Sequence, residues 1–377
     1  MTNKNLLGII FANMHDEFIH ELTLNRTTAS VPFGARYRLI DFTLSNMVNS
    51  GITQVGVIAK NNYRSLMDHV GSGKEWDLSR KRGGLTILPP YSTSGSCIYR
   101  GNVEALSGAM HYIASSPAEY VVLSDCCTIT NIDLEKVVNA HIENNAEITI
   151  VYVKTENVVK SNLDRVYVDC GADGFLTDIT SDITAEENPD RFNKQYCNIM
   201  VVKKDRLLQM IKEAMAKNMF SIERDILPKT LNKKYVYCYE ATEVVLNVRD
   251  INSYIDANMQ LLNKDIRDGL FKKDRPIYTK VRDQVPTKYG INANVKNSLI
   301  ADGCIIEGTV KNSIIFRGVK IDKGSVVENS IVMQDSMIEE NVNLNYVVTD
   351  KNVVVGQNRN ICGYITYPIY IDKGRHI

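Results

Sequence analysis

From residue 296 onward the chain repeats itself, and no other feature restricts its fold so tightly. The tetrads Asn297-Ser298-Leu299-Ile300, Asn312-Ser313-Ile314-Ile315, Asn329-Ser330-Ile331-Val332 and Asn345-Tyr346-Val347-Val348 recur at steps of 15, 17 and 16 residues. Short β-branched pieces such as Cys304-Ile305-Ile306-Glu307-Gly308 fill the intervals. Each repeat then holds about three hexapeptide-like units, with one aliphatic side chain inward and a small or turn residue at the corner. One such coil cannot bury its apolar side chains, whereas stacked coils share a continuous core. The spacing predicts a parallel β-helix over 290–377. An antiparallel meander would need hairpin signals at alternating ends, and here Gly and Asp corners fall at near-constant spacing. The recurring Asn reads as a structural ladder, in the left-handed conformation or bonded to the next coil.

The first two thirds alternates instead between strand and helix patterns. Leu6 to Ala12, Gln54 to Ala59, Tyr120 to Ser124 and Glu147 to Val153 read as strands. Leu39 to Ser50, Asn102 to Ala114 and Asp133 to Asn144 read as helices. This order predicts a Rossmann-like α/β domain over 1–275, with a mostly parallel sheet and helices on both faces. Ligands on such sheets lie beyond the carboxyl ends of the strands, here just after Ala12, Ala59, Leu88, Ser124 and Leu246. Residues 154–196 read as polar and less regular. Residues 264–290, with Pro276, Pro286 and many charges, read as a linker.

Lys plus Arg and Asp plus Glu both number 44, and no basic block stands out, which argues against nucleic acid or an anionic membrane as partner. The eight cysteines show no CxxC spacing and read as reduced thiols. No apolar run approaches ~18 residues and no cleavage-type leader precedes the first strand, so the expectation is a cytoplasmic protein.

Longer motifs then become specific. Val31-Pro32-Phe33-Gly34-Ala35-Arg36-Tyr37-Arg38-Leu39-Ile40-Asp41-Phe42-Thr43-Leu44-Ser45-Asn46 resembles the signature of the ADP-glucose pyrophosphorylase (glucose-1-phosphate adenylyltransferase) family. Tyr99-Arg100-Gly101, Asp225-Ile226-Leu227-Pro228, Ser253-Tyr254 with Ala257-Asn258-Met259, and Asn297 to Cys304 continue the match in order over nearly the whole chain. The resemblance implies a nucleotide-diphospho-sugar transferase domain followed by a left-handed parallel β-helix. It also implies the reaction of ATP with glucose 1-phosphate to give ADP-glucose and pyrophosphate. Such phosphoryl chemistry rests on positioning and charge neutralisation, usually with Mg²⁺ held by carboxylates.

The departures from this pattern gather at the strand ends. Where the family has a Gly-Gly-x-Gly-Thr-Arg phosphate loop, this chain reads Phe11-Ala12-Asn13-Met14-His15-Asp16-Glu17, without glycine and with Asp16 and Glu17 in the anion's expected place. The first metal carboxylate falls on Asp125 or on Cys126, depending on a one-residue slip in Leu123-Ser124-Asp125-Cys126-Cys127. Asn247 replaces the second, and Arg249 replaces a glycine two residues on. The Arg-Ala-Lys-Pro run has become Arg26-Thr27-Thr28-Ala29, the Gly-Thr-Ala-Asp-Ala run Gly101-Asn102-Val103-Glu104-Ala105, and the Glu-Lys-Pro motif is missing around Asp178 to Pro189. No catalytic residue or metal ligand is therefore assigned. Asp125 stays a degenerate carboxylate candidate, and Asn13, Arg26, Tyr99, Gly101 and Glu104 are expected as remnants of the substrate and nucleotide site. Arg36 and Arg38 are candidates for an anionic effector.

A kept scaffold with lost chemistry resembles the noncatalytic, D-type branch of this family. It implies a regulatory partner of a catalytic ADP-glucose pyrophosphorylase subunit, in a hetero-tetramer or as a homo-oligomer alone, meeting it through the aliphatic ladders of 296–360. An active transferase with a diverged site is the alternative. A hexapeptide acyltransferase is disfavoured, because the only histidine after His141 is His376. His15 and His20 lack metal-site spacing, and Cys126-Cys127 reads as buried small hydrophobes.

Overall fold

The computed structural model describes residues 5–14, 16–90, 99–155, 165–181, 191–231 and 234–377. The strand Leu6–Phe11 pairs in parallel with Gln54–Ile58 on one side and Tyr120–Asp125 on the other, and Gly84–Leu88 extends the run past Gln54–Ile58. These strands are continuously apolar because both faces are covered. Leu7, Ile9 and Phe11 pack with the helices Asn102–Gly108, Met110–Ser115 and Lys204–Ala216, while Ile10 joins the core under Leu39–Asn49 and Leu134–Glu143.

The sheet is mixed rather than mostly parallel. Lys194–Lys203 runs antiparallel to Tyr120–Asp125 along one edge and to Ile148–Lys154 along the other, and Val236–Glu240 then adds in parallel to Ile148–Lys154. The segment expected to be irregular contributes an antiparallel hairpin, Val166–Cys170 with Leu176–Ser181. Its signal was present as the alternating Val166-Tyr167-Val168 before a turn whose Gly174 has φ +80°, a conformation that favours glycine. The helix expected over Asn102 to Ala114 breaks at Ala109 into two. The expected linker begins as a helix, Lys264–Leu270, capped by Asn263. The chain after it is pinned to the first domain: the Asn131 amide donates to the carbonyls of Leu270 and Arg275 at 2.7 and 2.8 Å.

The C-terminal repeats form three parallel five-stranded sheets stacked into a left-handed β-helix. Asn297, Asn312 and Asn329 occupy left-handed corners at φ +44° to +48°, and the Asn297 amide donates to Asn312 at 2.8 Å. Inside the corner runs a serine ladder, in which the hydroxyls of Ser298, Ser313 and Ser330 accept from the N–H groups of Ser313, Ser330 and Val347. The fourth tetrad sits one residue out of the sequence-based register. Ile331 pairs with Val348 and Glu328 with Asn345, so Tyr346, at φ +52°, takes the corner and Asn345 bonds Asn329 from the preceding position. A coil step of 17 rather than 16 residues keeps the aliphatic side chains inward.

The two domains share one core. Ile314, Phe316, Ile331, Met333 and Val348 of the β-helix belong to the cluster that holds Phe33, Leu39 and Phe42. The aliphatic ladders expected on the surface are thus largely internal, and Ile305 and Met337 are the large apolar side chains that stay exposed between 296 and 360. Arg26, expected near the nucleotide, lies at this junction instead. Its Nη2 donates to both oxygens of Asp350 at 2.7 and 2.6 Å, with both residues buried. Tyr370 Oη and the Lys351 N–H also donate to Asp350, at 2.9 and 2.7 Å. Removing one partner of such a pair leaves a buried charge uncompensated. Asp350→Ala should therefore cost about 3–5 kcal/mol in urea unfolding, and the double variant Arg26→Met, Asp350→Leu should recover most of it. A single-variant loss under about 1 kcal/mol would show that the pair is weakly coupled to folding.

Candidate functional site

The strand ends converge on a cavity of about 300 Å³, walled by Phe11, Asn13, Lys60, Asp125, Asn198 and Arg249 among others. Asn13 leaves the first strand and is consumed by local bonds. Its Oδ1 accepts from the Lys60 N–H at 2.9 Å, and its Nδ2 donates to Asp16 at 2.5 Å. Asp16 therefore turns away from the expected anion place and accepts from the Thr28 N–H and hydroxyl at 2.9 and 2.5 Å. Burial raises its carboxyl above the ordinary range in spite of those bonds. Glu17, by contrast, does line the cavity, so a negative charge remains where a triphosphate would enter. His15 lies outside the described residues, as does most of the stretch around Asp178 to Pro189.

Asp125 ends its strand on the cavity floor and is 3% exposed. Its Oδ1 accepts from the Cys127 N–H at 3.2 Å and its Oδ2 from the Asn198 amide at 2.6 Å. Asn198 reaches it because the pairing of Lys194–Lys203 with Ile148–Lys154 shifts between Tyr196 and Met200, and Asn198 bulges out at φ +55°. Cys126 and Cys127 are buried, and burial first, then Asp125, pushes both thiols well up, which leaves them inert.

Asn247 stands on Val245–Asn247, antiparallel to Thr128–Thr130. It approaches the Thr128 hydroxyl at 3.5 Å and is not part of the cavity wall. Arg249, two residues on, is part of that wall and is 1% exposed. Its importance was legible as a lost glycine, but its entry into the cavity was not. A divalent ion ~4 Å from this guanidinium would meet about 8 kcal/mol of repulsion at an effective dielectric near 20. Among the described residues no group of three or more His, Cys, Asp or Glu is placed to hold a metal. With Asp125 already bonded, a neutral Asn247 and a resident guanidinium, the donor set does not fit the Mg²⁺ that the family resemblance implies.

The opposite wall holds Tyr99, Gly101 and Asn102. A Cβ on Gly101 would come within 2.2 Å of the Phe220 carbonyl oxygen, so close backbone approach explains this glycine. Glu104 does not reach the cavity. It accepts from the Arg100 N–H and Nε at 2.7 and 2.9 Å, and Arg100 holds its carboxyl below the ordinary range. Glu223, which the sequence reading missed, takes the inner position: both its oxygens accept from the Asn102 amide, at 3.0 and 2.8 Å. Asn102 Oδ1 accepts in return from the Ile222 N–H at 2.9 Å.

The effector candidates separate. Arg36 is exposed, with its guanidinium 6.0 Å from the Tyr37 ring centroid. Arg38 is buried and donates to the Ser65 carbonyl and hydroxyl at 2.7 and 2.9 Å; burial lowers it to about 10. It lies in a cationic group at the domain junction. Burial first, then Arg38 and Arg26, push the Lys351 ammonium down to about 7, with Arg282 adding to the effect. Arg26 Nη1 is buried there without a hydrogen-bond partner among the described residues.

This fold, with its strand-end cavity and its β-helix, defines a sugar-nucleotidyltransferase architecture, and the comparisons agree. A nucleotidyl transferase family model matches residues 19–264, and a GlmU-like C-terminal hexapeptide model matches 283–364. The chain belongs to the glucose-1-phosphate adenylyltransferase family of nucleotidyl transferases. It is 36% identical over 331 residues to the glycogen biosynthesis protein GlgD of Geobacillus stearothermophilus, covering 86% of this chain and 83% of that one. It is 33% identical over 374 residues to GlgD of Bacillus subtilis (strain 168), covering 99% and 97%. With the glucose-1-phosphate adenylyltransferase of Bacillus cereus (strain Q1) it shares 31% over 362 residues, 93% of each chain.

The Asn102–Glu223 clasp joins two walls of the cavity. Asn102→Ala would strand the Ile222 N–H and leave Glu223 with only the Ser221 hydroxyl as a donor among the described residues, and should lower unfolding free energy by about 1–3 kcal/mol in denaturant melts. No measurable loss would mean that the clasp is open in solution.

Proposed function

We propose that this chain is a noncatalytic, regulatory subunit in glycogen biosynthesis, the process named for its GlgD relatives. Its partner would be a catalytic ADP-glucose pyrophosphorylase subunit, with which it forms a cytoplasmic hetero-tetramer. The observation that carries the reading is the exchange of a metal-binding carboxylate for Asn247 while Arg249 enters the cavity floor beside Asp125. A triphosphate and its metal would face Glu17, Glu223 and a fixed guanidinium in place of a glycine-lined loop. Purified alone with Mg²⁺, ATP and glucose 1-phosphate, the chain should form ADP-glucose at least about 100-fold more slowly than a catalytic relative. Co-expression should yield a mixed complex by mass measurement. Turnover by the isolated chain at a catalytic relative's rate would instead establish the alternative, an active transferase with a diverged site.

Regulation is assigned to the domain junction. Arg38, Arg26 and Arg282 act together on Lys351 beside Asp350, and Arg26 Nη1 is a buried donor without a partner among the described residues. An anionic effector would satisfy that donor and return Lys351 to its charged form. The exposed Arg36, two residues before Arg38, would extend the site. Inorganic phosphate should accordingly raise the melting temperature of the chain, and Lys351→Gln should remove most of the rise. An equal rise in both proteins would place the anion elsewhere.

A further inference from the structure

We propose that Cys170 and Cys238 form a redox-modification site, a dithiol that a low-molecular-weight disulfide converts into a reversible intramolecular disulfide. Strand pairing brings the two together. The hairpin Val166–Cys170 with Leu176–Ser181 pairs along one side with Lys194–Lys203, which passes to Ile148–Lys154 and then to Val236–Glu240. An antiparallel bridge between Phe175 and Tyr237 closes that path into a small barrel, and the Cys238 N–H donates to the Gly174 carbonyl at 2.9 Å. Alternation along the strands then fixes which side chains face one another. Phe175 and Tyr237 share one face, where their rings meet edge to face at 5.7 Å, so the following residues Leu176 and Cys238 share the other. Cys170 is the register partner of Leu176 and joins them. All three belong to one apolar cluster, with Cys238 buried and Cys170 half-buried at its margin.

Both are free thiols, and the Cys238 S–H donates to the Cys170 sulfur. The charges around the pair are unequal. Lys194 lies against Cys170 and pairs with Asp169 at 3.4 Å. Tyr152 faces both sulfurs and donates to Glu240 at 3.1 Å, and Lys154 holds Glu240 at 2.9 Å. The Cys238 S–H first, and then Lys194 against the opposing effect of burial, bring the Cys170 thiol down to about 7. Cys170 and burial push Cys238 up. Cys170 is thus the attacking thiolate and Cys238 the resolving thiol. In the first step Cys170 Sγ bonds to one sulfur of the small disulfide, whose own S–S bond breaks, and the departing thiolate takes up the proton that Cys170 had lost to solvent. Cys238 then releases its proton and attacks Cys170 Sγ. The internal S–S bond forms, and the second small thiolate leaves and takes that proton. Two protein thiols are oxidised, and one small disulfide is reduced to two thiols.

The folded full chain, incubated with oxidised glutathione at neutral pH, should show Cys170 joined to Cys238 in a non-reducing peptide map, and dithiothreitol should reverse the bond. Cys238→Ser should instead accumulate glutathione on Cys170, and Cys170→Ser should leave Cys238 unmodified. Lys194→Gln should slow modification of Cys170 by about threefold or more. Circular-dichroism melts would establish that each variant is folded. Three results would each overturn the proposal: both thiols staying free in the folded native chain, a bridge to another cysteine in place of this one, or Cys238 of folded Cys170→Ser reacting as fast as Cys170 of Cys238→Ser.

Discussion

Three parallel strands ending at the same level are the constraint from which the site follows. Because Phe11 pairs with Ile58 and with Asp125, the chain leaves the sheet at Ala12, Ala59 and Cys126 side by side. Whatever side chains come next must share one small space. A space that held phosphates and a metal would call for glycines and carboxylates there. Here the same backbone frame delivers Asn13, Lys60 and Asp125, each engaged by a hydrogen bond to its neighbours. The scaffold and the chemistry are separable because the buried faces of the strands, not their tips, supply the folding free energy.

Substitution at the tips follows a consistent electrostatic logic. Asn102 and Glu223 close the cavity on one side, and Asp125 with Asn198 and Arg249 organise the other. Asn102 binds Glu223 and Asn198 binds Asp125, so these polar groups satisfy one another. Such satisfied polar sets are stable without a cofactor.

The domain junction shows the converse case, in which charge is concentrated rather than cancelled. The shared apolar core carries the association of the two domains, and the Arg26–Asp350 pair sits at its margin. Arg38 and Lys351 are drawn into the same region with a single carboxylate nearby among the groups that act on Lys351, and the ammonium is correspondingly depressed.

Local pattern fixed much of this in advance. The β-helix followed from the spacing of Asn and aliphatic residues, since every coil must face the same interior. The strand and helix order of the first domain followed from periodicity, and the lost loop and Asn247 from the motifs alone. Contacts between residues distant in sequence decided the rest. Arg26 left the expected site because Asp350, 324 residues away, offered a better partner, whereas Glu104 was drawn off by its near neighbour Arg100. Tyr346 took the corner expected of Asn345 because the inward alternation of a whole coil outweighs the preference of one residue. The reach of Arg249 into the cavity and the bulge that aims Asn198 at Asp125 depend on pairing between strands, where geometry is set by neighbours that no stretch of sequence contains.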